Sequence, residues 1–190
     1  RLVSNTGIWG GGGALRSVLY DCTVESNDAI GAGGVYECTL YNCTFGSNYS
    51  RGTGGGAYGS TLYDCTVISN SAALDGGGVD ASVLYGCSLI RNSTSGTIFY
   101  GGGGGAHASS LYDCVLAGNY ASVSGGGACE STLTGCTVVS NVAPSGGGSS
   151  AGALYECIIV SNTASSGGGS YGGTLYNCAL SRNLAGGSGG

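Results

Sequence analysis

The sequence predicts an all-β fold, a right-handed parallel β-helix (β-solenoid) of about eight coils. Three observations predict it: a unit of 21 or 22 residues recurs along the whole chain, each unit contains short β-rich runs, and a Gly cluster precedes each unit. A unit of this length cannot bury an apolar face by itself, so successive copies must stack and share one core. We therefore expect one solenoid domain over residues 1–190, with partial repeats at both ends.

Four residue types stand at fixed offsets in the repeat. The Cys positions are Cys22, Cys43, Cys65, Cys87, Cys114, Cys136, Cys157 and Cys178. An Asn follows each Cys by five residues: Asn27, Asn48, Asn70, Asn92, Asn119, Asn141, Asn162 and Asn183. A Leu precedes each Cys by three residues: Leu19, Leu40, Leu62, Leu84, Leu111, Leu133, Leu154 and Leu175. The last Gly of each cluster precedes that Leu by six residues.

All length variation falls between the Asn and the next Gly cluster. The fourth repeat carries five extra residues there, around Ser95 to Tyr100, and the regular spacing resumes at Gly105. We expect this insertion to bulge outward and to leave the strands on either side in register. Three short strands and their corners fit in 22 residues, so each repeat closes one coil and neighbouring coils pair as parallel strands about 4.8 Å apart.

Strand alternation predicts which columns face the core. Cys and the residue two positions later share one face, whereas Leu, three positions before Cys, has the wrong parity for one flat strand. A corner between Leu and Cys would turn both inward. Between Leu and this corner, Tyr recurs in seven of eight coils, with Thr134 as the exception, and we expect an outward Tyr stack.

The Asn residues are expected to form an inward ladder at a tight turn. Asn tolerates the left-handed conformation, and stacked amides can hydrogen-bond from coil to coil. The Gly clusters indicate positions that need positive φ or that lie too close to other atoms for a Cβ.

The recurring cysteines allow two interpretations. They could form disulfides between neighbouring coils, because stacking brings their Cα atoms within disulfide range. They could instead be unbridged core residues, because an in-register ladder separates the Cβ atoms and Cys also behaves as a small buried hydrophobe. We expect unbridged thiols in the core. Cys38 and Cys129 lie outside the recurring offset and are expected to be free. We expect no metal site, since there is no CxxC motif and one column of residues does not make a tetrahedron.

Composition limits the environment and the partners. Ten Cys and only 8% charged residues indicate a secreted or cell-surface protein. The net charge of −5 argues against nucleic-acid binding. No apolar run reaches the length of a membrane span.

Candidate catalytic residues are few. The position directly before each Cys is acidic in four of the eight repeats, and β-helix enzymes that cleave polysaccharides use clusters of carboxylates. The residues at this position are Asp21, Asn42, Asp64, Gly86, Asp113, Gly135, Glu156 and Asn177. His107 is the single His, with no nucleophile at a defined spacing, and is expected to be exposed. We expect no catalytic residues and no cofactor.

Two segments resemble a known family. Phe45-Gly46-Ser47-Asn48 and Gly54-Gly55-Gly56-Ala57 resemble the paired F-x-x-N and G-G-A-[ILV] motifs of polymorphic outer-membrane proteins, whose repeats are of the autotransporter-passenger kind. Segments such as Val67 to Asn70 repeat the first motif with an aliphatic residue in place of Phe. The resemblance implies a right-handed β-helix, surface exposure and a role as an adhesin or a stalk.

Together these observations favour a non-enzymatic structural protein, a rigid extracellular rod or fibre that self-associates end to end or side by side. One alternative is a stalk segment of a larger surface adhesin, which could contact a cell-surface or matrix polysaccharide. The other alternative is a β-helix enzyme that acts on polysaccharides.

Overall fold

The computed structural model describes residues 1–97 and 101–190, and throughout these residues it is an all-β parallel solenoid of about eight coils without a helix. Each coil carries up to four short strands after its Gly cluster, and all the pairings between strands are parallel and join equivalent strands of neighbouring coils. We call these equivalents the first, second, third and fourth columns, in chain order from the Gly cluster. The predicted fold class is therefore confirmed.

The strand bounds follow the repeat. The first column contains Ala14–Leu15, Val35–Tyr36, Ala57–Tyr58, Val79–Asp80, Ala106–His107 and Ala128–Cys129. The second column contains Val18–Tyr20, Thr39–Tyr41, Thr61–Tyr63, Val83–Tyr85, Ser110–Tyr112 and Thr132–Thr134. In the next two coils these two columns merge into the single strands Ser149–Tyr155 and Ser170–Tyr176.

The remaining strands form the other two columns. The third column contains Leu2–Val3, Thr23–Glu25, Thr44–Gly46, Thr66–Ile68, Ser88–Ile90, Val115–Ala117, Thr137–Val139, Ile158–Val160 and Ala179–Ser181. The fourth column contains Thr6–Gly7, Asp28–Ala29, Tyr49–Ser50, Ser71–Ala72, Ser93–Thr94, Val142–Ser145, Thr163–Ser166 and Leu184–Ser188. Isolated bridges through Tyr120 join the two halves of the fourth column.

A single residue in the left-handed conformation makes each corner between columns. In one coil these residues are Glu37, Asn42 and Ser47, with φ of 51°, 52° and 54°. Each corner turns inward two residues that are three positions apart, such as Leu40 and Cys43. This confirms the predicted corner between Leu and Cys and explains the parity of the two residues.

The inward columns form one continuous core. Leu40, Leu62, Leu84, Leu111, Leu133 and Leu154 are fully buried. In seven third-column strands the central residue is fully buried too: Val24, Phe45, Val67, Leu89, Leu116, Val138 and Ile159. In the outermost coils the same columns are open: Leu19 and Cys22 are half-buried, and Leu175 is exposed. The columns are therefore continuous as predicted, with burial set by whether a coil has neighbours on both sides.

The Gly clusters contain both kinds of position that were predicted: residues with positive φ and residues with no room for a Cβ. Gly54 has a φ of +65°, which an L side chain rarely adopts. A Cβ on the next residue, Gly55, would lie less than 3.0 Å from the carbonyl oxygens of Gly77 and Ser71. The chain therefore passes so close to its own neighbours here that only Gly fits.

At the insertion in the fourth repeat, the first three columns stay paired in register, whereas the fourth column is joined to the next coil only by isolated bridges. Leu84 pairs with Leu111 and Leu89 pairs with Leu116, so the strands on either side stay in register, as predicted. Thr94 Oγ1 donates a hydrogen bond of 2.9 Å to the carbonyl oxygen of Gly101 and ties the two ends of the insertion together. Residues 98–100 of the predicted bulge lie outside the described residues.

The second-column Tyr residues stack on the outside of the solenoid, as predicted. Ring centroids from Tyr20 to Tyr112 are 4.8 to 5.1 Å apart, with planes within 10° of parallel. Thr134 interrupts the stack, and beyond it Tyr155 and Tyr176 are tilted by 48° at 6.4 Å. A second stack, Tyr36 on Tyr58, lies in the first column and was not anticipated.

Candidate functional site

The Asn ladder lies at the corner between the third and fourth columns, and its amides are saturated with hydrogen bonds. Asn119 is representative: its backbone N–H and its Nδ2 both donate to Asn141 Oδ1, at 2.8 and 3.0 Å. The Nδ2 group also donates to the carbonyl oxygen of Leu89 at 2.9 Å. Asn27 through Asn162 are buried, Asn183 is half-buried, and Asn5 joins the ladder through Asn27.

The ladder Asn residues do not adopt the left-handed conformation, contrary to the expectation from sequence. The left-handed residue at the corner is the one before Asn, such as Ser26, Ser47 or Ser69, and no ladder Asn has positive φ. Asn is therefore placed here by its side chain rather than by its backbone. One amide supplies both the donors and the acceptor that a buried corner needs.

The recurring Cys residues form a second ladder of the same kind. All ten cysteines lie in the described part of the chain and are free thiols. The N–H of Cys87 donates to Cys114 Sγ at 3.4 Å, and the Cys114 thiol faces the carbonyl oxygen of Tyr112 at 3.2 Å. Cys43 through Cys157 are buried, and burial raises the pKa of the Cys43 thiol. Cys thus serves here as a compact polar group, in addition to filling the core.

A third ladder, which the sequence analysis missed, lies at the corner between the first and second columns. It consists of Ser17, Cys38, Ser60, Ser82, Ser109 and Ser131. The N–H of Cys38 donates to Ser60 Oγ at 3.0 Å, and the N–H of Ser60 donates to Ser82 Oγ at 3.1 Å. Cys38 is free, as predicted, but it is a regular member of a ladder. The signal was available, because all six residues stand four positions after the last Gly of their cluster.

The acidic residues before each Cys do not converge on a site. Every residue at this position has positive φ, for example Asp64 at 51° and Asp113 at 53°. Asp64 and Asp113 are exposed, and Gly86 stands between them. Asp, Asn and Gly are the residues that tolerate this conformation best, so the residue type follows from the corner geometry.

The structure brings together a different set of polar residues at the outer side of the first column. Asp80, His107 and Cys129 pair in register on three successive coils, and Glu130 follows Cys129. His107 Nδ1 lies 2.8 Å from Asp80 Oδ1, and His107 Nε2 lies 3.9 Å from Glu130 Oε2. His107, Cys129 and Glu130 line a cleft of about 290 Å³ together with Asp75. We call Asp80, His107, Cys129 and Glu130 the histidine cluster.

Burial and charge distinguish the members of the histidine cluster. The side chain of Asp80 is 8% exposed and that of His107 21%, whereas that of Glu130 is 65% exposed. His107 is therefore not the exposed residue that the sequence analysis expected. Burial by itself would lower its pKa, but the hydrogen bond and charge of Asp80, aided by Asp75 and Glu130, raise the pKa above its ordinary value.

Cys129 is free, as predicted, and nearly fully buried. Its Sγ lies 3.4 Å from Ser124 Oγ, and burial raises the pKa of its thiol. Sequence reasoning missed the cluster because residue type changes from coil to coil in this column. Asp80, His107 and Cys129 each stand two residues after the last Gly of their cluster, and that offset places them on one line.

The chain matches no model of a known protein family, and it matches no curated protein. Among the described residues, no helix is long and apolar enough to cross a membrane.

Proposed function

We propose that this chain is a non-enzymatic structural β-solenoid that forms a rigid extracellular rod or fibre. The observation that carries the proposal is the register of the first, second and third columns, which pass even the five-residue insertion without a shift. Three hydrogen-bonded ladders and a stack of Tyr rings run parallel to the solenoid axis. In such a solenoid each coil contacts only its neighbours, so the stability of the rod comes from the interfaces between successive coils along that axis.

Self-association is part of this proposal. The outermost coils expose apolar side chains that interior coils bury, such as Leu180 at 42% exposure. Each outermost coil also carries strand edges that can pair with a further strand. Another coil of the same cross-section would cover both, whether it comes from a second copy or from further chain of the same repeat.

An extracellular location is consistent with the solvent-facing chemistry. The second-column face is dominated by stacked Tyr rings, and charged residues are few throughout. All ten cysteines are free thiols, so the proposed location is supported by composition and not by disulfides.

The second candidate is a stalk segment of a larger adhesin. It is favoured by the resemblance to polymorphic outer-membrane proteins, because the F-x-x-N-like segment from Phe45 to Asn48 forms a third-column strand, a corner and one ladder Asn. Such a stalk could contact a cell-surface or matrix polysaccharide. The stacked Tyr rings face one another at about 5 Å, so they offer a sugar their edges rather than their faces.

Electron microscopy of the purified chain at low salt distinguishes the two candidates. Long filaments of uniform width support the fibre, and short single rods support the stalk. A parallel assay with a panel of uronic-acid and neutral polysaccharides tests the enzymatic alternative. Hydrolysis or elimination products that disappear in Asp64→Asn or Asp113→Asn variants would refute the structural assignment.

A further inference from the structure

We propose that the histidine cluster is a Zn²⁺ site, with His107 Nε2, Cys129 Sγ and one Glu130 carboxylate oxygen as protein ligands and a water as the fourth ligand. Candidate ligand atoms of these three residues lie within 4.8 Å of one another. A tetrahedral Zn²⁺ with bonds of about 2.0 to 2.3 Å separates its ligands by about 3.3 to 3.7 Å. Small side-chain rotations would close the difference.

The solenoid register supplies the alignment. His107 and Cys129 are Cα partners on adjacent paired strands, so their side chains project from the same face. Glu130 is the left-handed corner residue that follows, with a φ of 52°, and its carboxylate reaches back to within 3.9 Å of His107 Nε2. Three ligand types that Zn²⁺ accepts therefore converge from two coils.

Asp80 fixes the imidazole for metal binding. An ionised carboxylate can only accept hydrogen bonds, so the 2.8 Å contact requires the proton on His107 Nδ1. When the ring is neutral, this leaves the lone pair on Nε2, which is the nitrogen nearer Glu130. A carboxylate that accepts from the second nitrogen of a His ligand is the usual support of a zinc-bound imidazole. Asp80 is thus a positioning residue.

The charge around the cluster favours a cation. Asp75, Asp80 and Glu130 are three carboxylates around one imidazole. In the described part of the chain, His107 is the only basic group within ion-pair distance of Asp80 or Glu130. Asp75 is held in place, since its Oδ1 accepts hydrogen bonds of 2.9 Å from the N–H groups of Gly101 and Gly102. A divalent cation would offset the excess negative charge.

Cys129 Sγ lies at the cleft that His107 and Glu130 line, 3.4 Å from Ser124 Oγ. Binding of Zn²⁺ would form the Sγ–Zn bond and release the thiol proton to solvent. The ion would clamp the coil of His107 to the next coil, beside the insertion that follows Thr94.

Cobalt titration of the reduced, metal-free chain tests the site. We expect one equivalent of Co²⁺ to give a thiolate-to-cobalt charge-transfer band, which one equivalent of Zn²⁺ then removes. Cys129→Ser should abolish the band. Cys38→Ser is the matched control and should leave it intact, since Ser is the usual residue of the ladder that contains Cys38.

Further variants separate ligands from folding effects. Glu130→Gln changes an exposed side chain and should weaken binding by about tenfold or more, with an unchanged circular dichroism spectrum. Asp80→Asn should weaken binding by about 10- to 100-fold while the band keeps its position. No stoichiometric binding by the wild-type chain, a band that persists in Cys129→Ser, or equal loss in Cys38→Ser would overturn the proposal.

Discussion

Replacement of Asn119 by Leu tests the Asn ladder where it has neighbours on both sides. Asn119 Oδ1 accepts from the backbone N–H of Asn92 at 2.9 Å and from Asn92 Nδ2 at 3.1 Å, and its own Nδ2 donates to Leu89. Leu removes these three hydrogen bonds and a fourth, from Asn119 Nδ2 to Asn141 Oδ1. Three buried polar groups then lack their Asn119 partner, since Asn141 Oδ1 still accepts from the backbone N–H of Asn119. Each such group costs about 1 to 3 kcal/mol.

The gain from burying a Leu side chain offsets part of this loss. A Leu contributes about 1.5 to 3 kcal/mol on burial, and the close approach of Gly105 to Asn119 leaves little room for it. We therefore expect a net loss of about 3 kcal/mol in the free energy of unfolding, which for a chain of this size lowers the thermal midpoint by about 6 to 12 °C.

Urea unfolding, followed by far-ultraviolet circular dichroism, measures this loss. The matched control is Asp113→Gly, because Asp113 is an exposed corner residue and Gly occupies the same corner at Gly86 and Gly135. We expect the control to stay within about 1 kcal/mol of wild type. Equal losses for the two variants would refute the assignment of the Asn ladder as the buried polar support of the fold.

Three further predictions concern other columns. Thr134→Tyr should complete the Tyr stack and raise the free energy of unfolding by about 0.5 to 1.5 kcal/mol, and a lower thermal midpoint would contradict this. Gly55→Ala should lower the free energy of unfolding by about 3 kcal/mol or more, because backbone oxygens lie where the Cβ would stand. An unchanged urea midpoint would contradict the close approach of the backbone at Gly55. The raised pKa of His107, which faces Asp75, Asp80, Cys129 and Glu130, means that protonation stabilises the fold. In metal-free protein, this stabilisation should be complete below the unfolded-state pKa of about 6.5 and should be lost as pH rises through the folded-state pKa. The difference in free energy of unfolding between wild type and His107→Gln, measured from pH 5 to pH 9, should therefore shrink as pH rises. A difference that does not change with pH would contradict this prediction.

The sequence was sufficient to predict the solenoid and its main columns, because the Leu, Cys and Asn offsets are invariant in all eight repeats. Fixed offsets translate directly into columns when each coil pairs in register with the next. The corner between Leu and Cys was also predictable, since two inward residues three positions apart cannot share one flat strand.

The third ladder, at the corner between the first and second columns, and the histidine cluster were missed because of their composition. Their columns mix residue types, so a search for a repeated residue does not detect them: the ladder contains Cys38 among serines, and the cluster has Asp80, His107 and Cys129 in one line. Only the three-dimensional register, or a count from the Gly cluster, shows that residues 22 to 27 positions apart are neighbours.

The left-handed corners were partly misassigned. Sequence statistics connect Asn with positive φ, but in this chain the ladder Asn stands one residue after the corner. The corner itself accepts residues as different as Ser47, Arg91 and Gly118. Backbone conformation at such positions is set by the stacking of the coils rather than by local preference.

Sedimentation velocity of the wild-type chain and of Leu180→Lys, over a wide range of protein concentration, tests the proposed self-associating rod most directly. Leu180 lies in the third column of the last complete coil, where its side chain is partly exposed. We predict that the wild-type chain forms concentration-dependent, elongated oligomers. In Leu180→Lys, burial of the ammonium in the joint should block them at a cost of several kcal/mol or more per joint. A wild-type chain that remains a monomer at the highest concentration would contradict the fibre.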